Sequence, residues 1–215
     1  MSRITKGMEG KFFRIPKSIF DDWESLDPIA KSALMAINML TWSGKRDVII
    51  SNKSLLKIIG VKDRALEKHM KSLEDFPYVS RHLVSVGNGH SMYTYSFKEV
   101  ESKDSIFIKN DLVLNKEWAD MGCKAQVLYL YKRLWSVNSC ETQWSTYEGT
   151  LEHKEEYLNR KEFKCESKVK DSIRYKQCGI KKSSYIRATK MLHEKELLSR
   201  DEFGEILQSD FDEWL

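Results

Sequence analysis

Residues 60–73 (GVKDRALEKHMKSL) and residues 179–192 (GIKKSSYIRATKML) share one outline: a glycine, a short polar stretch, then apolar residues at helical spacing. A glycine of this kind supplies the positive φ that ends one helix. The stretch behind it reads as the second helix of a helix-turn-helix. One such segment constrains little. Two in one chain, each behind its own long apolar helix, predict a duplicated unit and so a duplicated fold.

The helix ahead of each turn aligns without gaps, Ala30 to Met35 against Cys123 to Leu128, and Trp42 then faces Trp135 at an offset of 93 residues. At the turn glycines the offset is 119, so the second unit carries 119 − 93 = 26 extra residues, placed near 136–165. In the first unit Pro16 keeps Ile15 extended. Asp27-Pro28 reads as an N-cap with proline in the first helical position, opening an amphipathic helix that stops at Ser43-Gly44. Val48 to Ile50 has strand character, and Ser51 is the expected cap of a helix over 52–59. A third helix is expected over 62–73. Tyr78 to Val86 and Met92 to Phe97 alternate about a Gly87-Asn88-Gly89-His90 tip, which predicts a β-hairpin. That order, helix, helix-turn-helix, hairpin, is that of a winged helix.

Lys98 to Asp104 is polar and reads as a linker, dividing the chain into units at 1–100 and 101–215. The second unit repeats the order. Ile106 to Ile108 opens it, and a helix begins at Cys123. Next come the insertion, with helical character over 151–163, and a helix over 167–178 with Val169, Ile173 and Cys178 inward. A last helix spans 181–194, followed by a small hairpin from Leu197–Arg200 and Ile206–Leu207. The tail from Asp201 to Leu215 carries six acids and no base, and reads as a strand and helix closing the second core. The expected class is mainly α with small β-hairpin wings (α+β): two tandem winged helix-turn-helix domains.

At 215 residues with 41% hydrophobic side chains, each half can build a core. A net charge of +4 excludes a polycation but admits a localised basic face. The N-terminal stretch lacks an apolar segment and no run is long enough to span a bilayer, so a cytoplasmic location is expected. The four cysteines form no C-x-x-C pair. A zinc site from Cys140, His153, Cys165 and Cys178 fits zinc spacing poorly. No phosphate-binding loop, no His-hydrophobe-His pair, no G-x-S-x-G and no H-E-x-x-H motif occurs. Tyr175 and Tyr185 lack a recombinase's Arg and His pattern. The expectation is no enzyme, no metal and no cofactor.

The second helix of a helix-turn-helix presents its first turns to base edges in the major groove. The candidates are Lys62, Arg64, Lys68 and Lys71 in the first unit, alongside Asp63 and Ala65. In the second they are Lys181, Lys182, Ser183, Ser184, Arg187 and Lys190. Arginine takes guanine O6 and N7 bidentately; Lys and Ser serve bases or phosphates. Wing residues Arg81, Asn88 and His90 are candidates for the adjacent minor groove or backbone. His69 and His193 read as surface or ion-pair residues. Lys62 to Glu74 sets four Lys or Arg against three acids, whereas Lys181 to His193 holds four and no acid. Residues 160–200 hold thirteen Lys or Arg against five acids. The second unit is therefore the expected principal contact with double-stranded DNA. Lysine-rich helix faces are also commonly just solvated.

Phe13 to Phe20 (FRIPKSIF), followed by Leu26 to Lys31 (LDPIAK), resembles the opening of winged-helix domains in replication initiators and regulators of bacterial plasmids and phages. The two-unit layout is similar to plasmid initiators of the tandem winged-helix type. That resemblance implies sequence-specific DNA binding at an origin or operator, in replication initiation or transcription regulation, with one unit free to form a homodimer or hold a replication or transcription protein. A different class, a winged-helix scaffold in a replisome or conjugation assembly, is the alternative.

Overall fold

The computed structural model describes residues 8, 11–62, 66–87, 91–99, 105–134, 136–138, 162–165, 176–201 and 204–208. The chain is a mixed α+β protein whose helices carry small antiparallel sheets.

Strand β1 (Phe12–Pro16) leads into a short helix α1 (Ser18–Asp22) and a 3-10 turn (Trp23–Ser25). Helix α2 (Pro28–Leu40) begins as the sequence predicts, with Asp27 Oδ1 accepting from the amides of Ile29 at 2.8 Å and Ala30 at 3.1 Å. A cap of this kind contributes about 1 kcal/mol. The helix ends where Trp42, Ser43 and Gly44 all take positive φ. Strand β2 (Val48–Ile50) precedes helix α3 (Asn52–Ile59), capped by Ser51 and closed by Gly60 at φ 73°. Helix α4 (Leu66–Glu74) and the hairpin β3 (Val79–Ser85) and β4 (Ser91–Phe97) complete the first unit. Strand β2 pairs with β4, giving a sheet of order β2-β4-β3.

The second unit opens with β5 (Ser105–Lys109). Two short helices follow, α5 (Asn110–Leu114) and α6 (Lys116–Met121), ahead of the helix expected from Cys123. Helix α7 (Cys123–Leu134) is the counterpart of α2. Strands β6 (Ser136–Asn138) and β7 (Glu162–Cys165) flank the extra residues. Glu162 and Phe163, expected at the end of a helix, are strand, because β7 pairs on both sides, with β6 and β9. The rest of the insertion and most of the helix expected over 167–178 lie outside the described residues; Lys176 and Gln177 are helical. Gly179 takes φ 68°. Helix α8 (Lys182–Glu194) and the expected hairpin, β8 (Leu198–Asp201) with β9 (Gly204–Gln208), follow. The sheet order is β6-β7-β9-β8, so β7-β9-β8 repeats the order β2-β4-β3 and β6 is added at the edge. Residues 209–215 of the acidic tail lie outside the described residues.

The repeats are joined by reciprocal contacts. Strands β1 and β5 pair antiparallel with Arg14 opposite Phe107, its own counterpart at the offset of 93. Every other pair in this ribbon is then symmetric about that point. The Gly60 backbone lies against Ala119 O and that of Gly179 against Leu26 O, again counterparts at 93. Gln126 of α7 donates to Ile59 O at 3.1 Å, just before the first turn glycine. Lys31 of α2 reaches Gln177 O at 3.4 Å, just before the second. A pseudo-twofold axis therefore runs between α2 and α7. Buried side chains of both units form one contiguous apolar cluster.

This docking corrects one expectation. Helix α2 is not amphipathic in its surroundings: Lys31, Ser32 and Asn38 are buried along with its apolar stripe. The second unit covers Lys31 and Ser32, which meet Gln177 and Cys123, whereas Asn38 is covered by β1 of its own unit. Asn38 Nδ2 is satisfied by Arg14 O at 2.8 Å.

Candidate nucleic-acid interface

Helix α8 carries its apolar stripe inward through Tyr185, Ala188 and Leu192, which fixes what remains outside. Lys181, Lys182, Ser183, Arg187 and Lys190 are exposed and Ser184 is half-buried. No acid occurs before Glu194, which pairs with Lys190 at 3.5 Å; both groups are largely solvated, so the pair weakly offsets the positive face. Lysines at the start of a helix work against its dipole, whose N-terminal end is itself positive. The start of α8 therefore concentrates positive potential, and no side-chain cap relieves it.

Two residues of this face were missed by sequence reasoning. Lys124, at the start of α7, donates to Ser184 Oγ at 3.0 Å and adds a cation beside α8. Its counterpart at the offset of 93 is Lys31, which is buried, so the repeat itself gave no signal. Ile186 is 59% exposed between Lys182 and Lys190. Its signal was available: it falls off the inward stripe of Tyr185, Ala188 and Leu192.

On α4, Lys68 and Lys71 are exposed, as is Lys62 ahead of it; Asp63, Arg64 and Ala65 lie outside the described residues. Asn88 and His90 at the hairpin tip do too. Arg81 is placed differently from expectation. Its side chain is 3% exposed, its guanidinium lies 3.5 Å from the centre of the Tyr93 ring, and it bonds Glu67 at 2.9 Å and Glu74 at 3.1 Å. The reason is strand parity: Val79, Arg81 and Leu83 share the face of β3 that meets Tyr95 and Tyr93 of β4. Burial opposes the charge of Arg81, but Tyr95 and Glu67 outweigh it and hold the guanidinium above its ordinary value. Two of the three acids that make this helix mixed in charge thus share one guanidinium from beneath, which offsets one of their two charges. His69 contacts Asp27 through Nδ1, tying α4 to the start of α2, and His193 is exposed.

The turn before α8 is anchored from the core. Lys31 is fully buried 5.3 Å from the centre of the Trp23 ring, and Tyr131 of α7 donates to Gln177 Oε1. Burial draws Lys31 down to about 8, against the pull of Cys178, Glu24 and Asp27. Burial pushes the Cys178 thiol up to about 12, partly offset by Lys31 and Lys132. Of the four residues weighed as a zinc site, Cys140 and His153 lie outside the described residues. Among the described residues, no cluster of three or more His, Cys, Asp or Glu could hold a metal, and no helix is long and apolar enough to cross a membrane. The chain matches no protein-family model, no curated protein and no solved structure.

Proposed function

We propose that the chain is a sequence-specific double-stranded DNA-binding protein of a bacterial mobile element, built from two tandem winged helix-turn-helix units. It recognises an origin or operator in the cytoplasm, without catalysis. The observation that carries this reading is the exposed face of α8: Lys181, Lys182, Arg187 and Lys190 behind the Gly179 turn, with no acid until the last residue of the helix. In support, β2 pairs with β4 and a hairpin follows α4, the order and pairing of a winged helix. The second unit keeps that order with one strand added.

Salt dependence tests it. About six phosphate contacts give a log–log slope of affinity against salt of about −5. Replacing Lys181, Lys182 and Arg187 by alanine weakens binding more than replacing Lys62, Lys68 and Lys71. No duplex binding at low salt overturns the reading; equal losses overturn the ranking of the units.

One observation favours a protein contact for the first unit. Leu83 is 62% and Val86 44% exposed on its hairpin. That fits a first unit that holds a partner while the second reads DNA, and in the limit a replisome or conjugation scaffold. Loss of partner binding, with DNA affinity intact, in Leu83→Ser/Val86→Ser distinguishes this role.

A further inference from the structure

We propose that the cleft beside the C-terminal end of α2 is a binding site for a nucleoside phosphate, separate from the α8 face. Its volume is about 300 Å³, at the lower end of the range for small-ligand sites. Lys11 and Phe12 of the β1 arm, Trp42 and Lys45 of the left-handed turn, Glu99 and Asn110 contribute to its wall. Helix α2 has 13 residues, or about 20 Å of length, between this cleft and the Asp27 end that His69 of α4 contacts.

The cations are held without being neutralised. Lys11 Nζ lies 4.8 Å and the Arg46 guanidinium 4.4 Å from the centre of the Trp42 ring. A π face orders a cation but leaves its charge. Among the described residues, Lys11, Lys45 and Arg46 have no carboxylate partner. A helix C-terminus attracts cations for its own sake, yet that demand is met elsewhere. Arg46 Nε takes Leu40 O at 3.0 Å and Thr41 Oγ1 takes Ile37 O at 2.9 Å. Lys11 and Lys45 are in surplus, and a phosphate suits them.

The remaining wall asks for more than an anion. Trp42 is 38% exposed and Phe12 lines the same space, offering aromatic surface to a planar ring. Asn110 is 2% exposed; its Nδ2 donates to Met8 O at 2.9 Å, while its buried Oδ1 has no donor. Glu99 adds a carboxylate acceptor. Acceptors repel a bare anion or an acidic peptide, but they accept from base N–H groups and ribose hydroxyls. Phosphate, planar base and hydroxyl or amino donors occur together in a nucleotide, free or within a nucleic-acid strand.

Calorimetric titration of the full chain with ATP, ADP, GTP, inorganic phosphate and a short 5′-phosphorylated oligothymidylate tests this. Saturable nucleotide binding is expected, with inorganic phosphate at least about tenfold weaker. Lys11→Glu/Lys45→Glu, two exposed positions whose change leaves the far-UV circular dichroism intact, lowers nucleotide affinity by about tenfold or more. Trp42→Leu weakens it as well. Binding of the oligonucleotide alone, lost in the charge-reversed variant, assigns the phosphate to a strand. The proposal is overturned if no nucleoside phosphate and no oligonucleotide saturates at millimolar concentration. It is equally overturned if inorganic phosphate binds as tightly as nucleotide, or if the double variant binds unchanged.

Discussion

The two turn glycines do the same conformational job but have different neighbours. Both need positive φ, which costs a residue with a Cβ about 1–2 kcal/mol. At Gly179 an added Cβ meets Lys31 Nζ at 3.0 Å, the far end of a flexible side chain. At Gly60 it falls 1.8 Å from Ala119 O, a backbone atom of α6 that cannot swing away. Gly179→Ala should cost about 1 kcal/mol, near the conformational term alone. Gly60→Ala should cost about 3 kcal/mol or more, because the two units must part to admit the methyl. Urea denaturation of both variants checks this, and equal losses would show that Gly60 is not an interface residue. Both glycines were legible as turns, since φ > 0 is a local demand. The carbonyl facing Gly60 was not, because it lies 59 positions away in the other unit. Arg81 is the opposite lesson: its inward parity with Val79 was written in the strand alternation, and its charge obscured it.

Among the elements, those whose limits follow from caps and periodicity stand where the residues predict. Helices α2, α3, α7 and α8 and both hairpins are of this kind. Strand β7 was not legible, because a strand paired on both sides is defined by its neighbours, not by its own four residues. On α8, Ile186 suggests how the helix discriminates. An aliphatic side chain among cations adds nothing to phosphate binding, but it suits the thymine C5-methyl in the major groove. This rests on the DNA reading. Once a target has been selected from random duplexes, replacing its critical thymine by uracil should weaken the wild-type chain about fourfold, the worth of one buried methyl. Ile186→Ala should bind both duplexes alike. Tight binding that ignores the methyl removes this role for Ile186 and leaves the DNA function standing.

At the scale of the whole molecule, Lys31 reports on the docking of the two units. In the unfolded chain it keeps its proton to its ordinary 10.5, while in the folded chain it releases it from about 8. Between those values the unfolded state binds more protons, so this group makes stability rise with pH. The buried thiols act in the other direction. Cys178 and Cys123 are raised from 9.0 to about 12 and about 11, so their contribution is lost as pH climbs past 9.0. The rise should therefore appear from about pH 8 to 9 and then reverse. Thermal melts across that window should show it in the wild type and a flatter profile in Lys31→Met. An unchanged slope in the variant would assign the effect elsewhere.

The amino-acid sequence by itself determined the repeat, the order of helices and hairpins, the turn glycines and the acid-free charge of α8. These depend on backbone preference, capping and periodicity over a few residues. Only the tertiary structure decided that the units dock through a pseudo-twofold axis, that Lys31 is buried while its counterpart Lys124 stays exposed beside α8, and that Arg81 lies beneath α4, paired with Glu67 and Glu74. The physical reason is that burial belongs to surfaces brought together from distant parts of the chain. A lysine on the polar face of a helix is solvated until another unit covers it, and nothing within its own helix says which will happen.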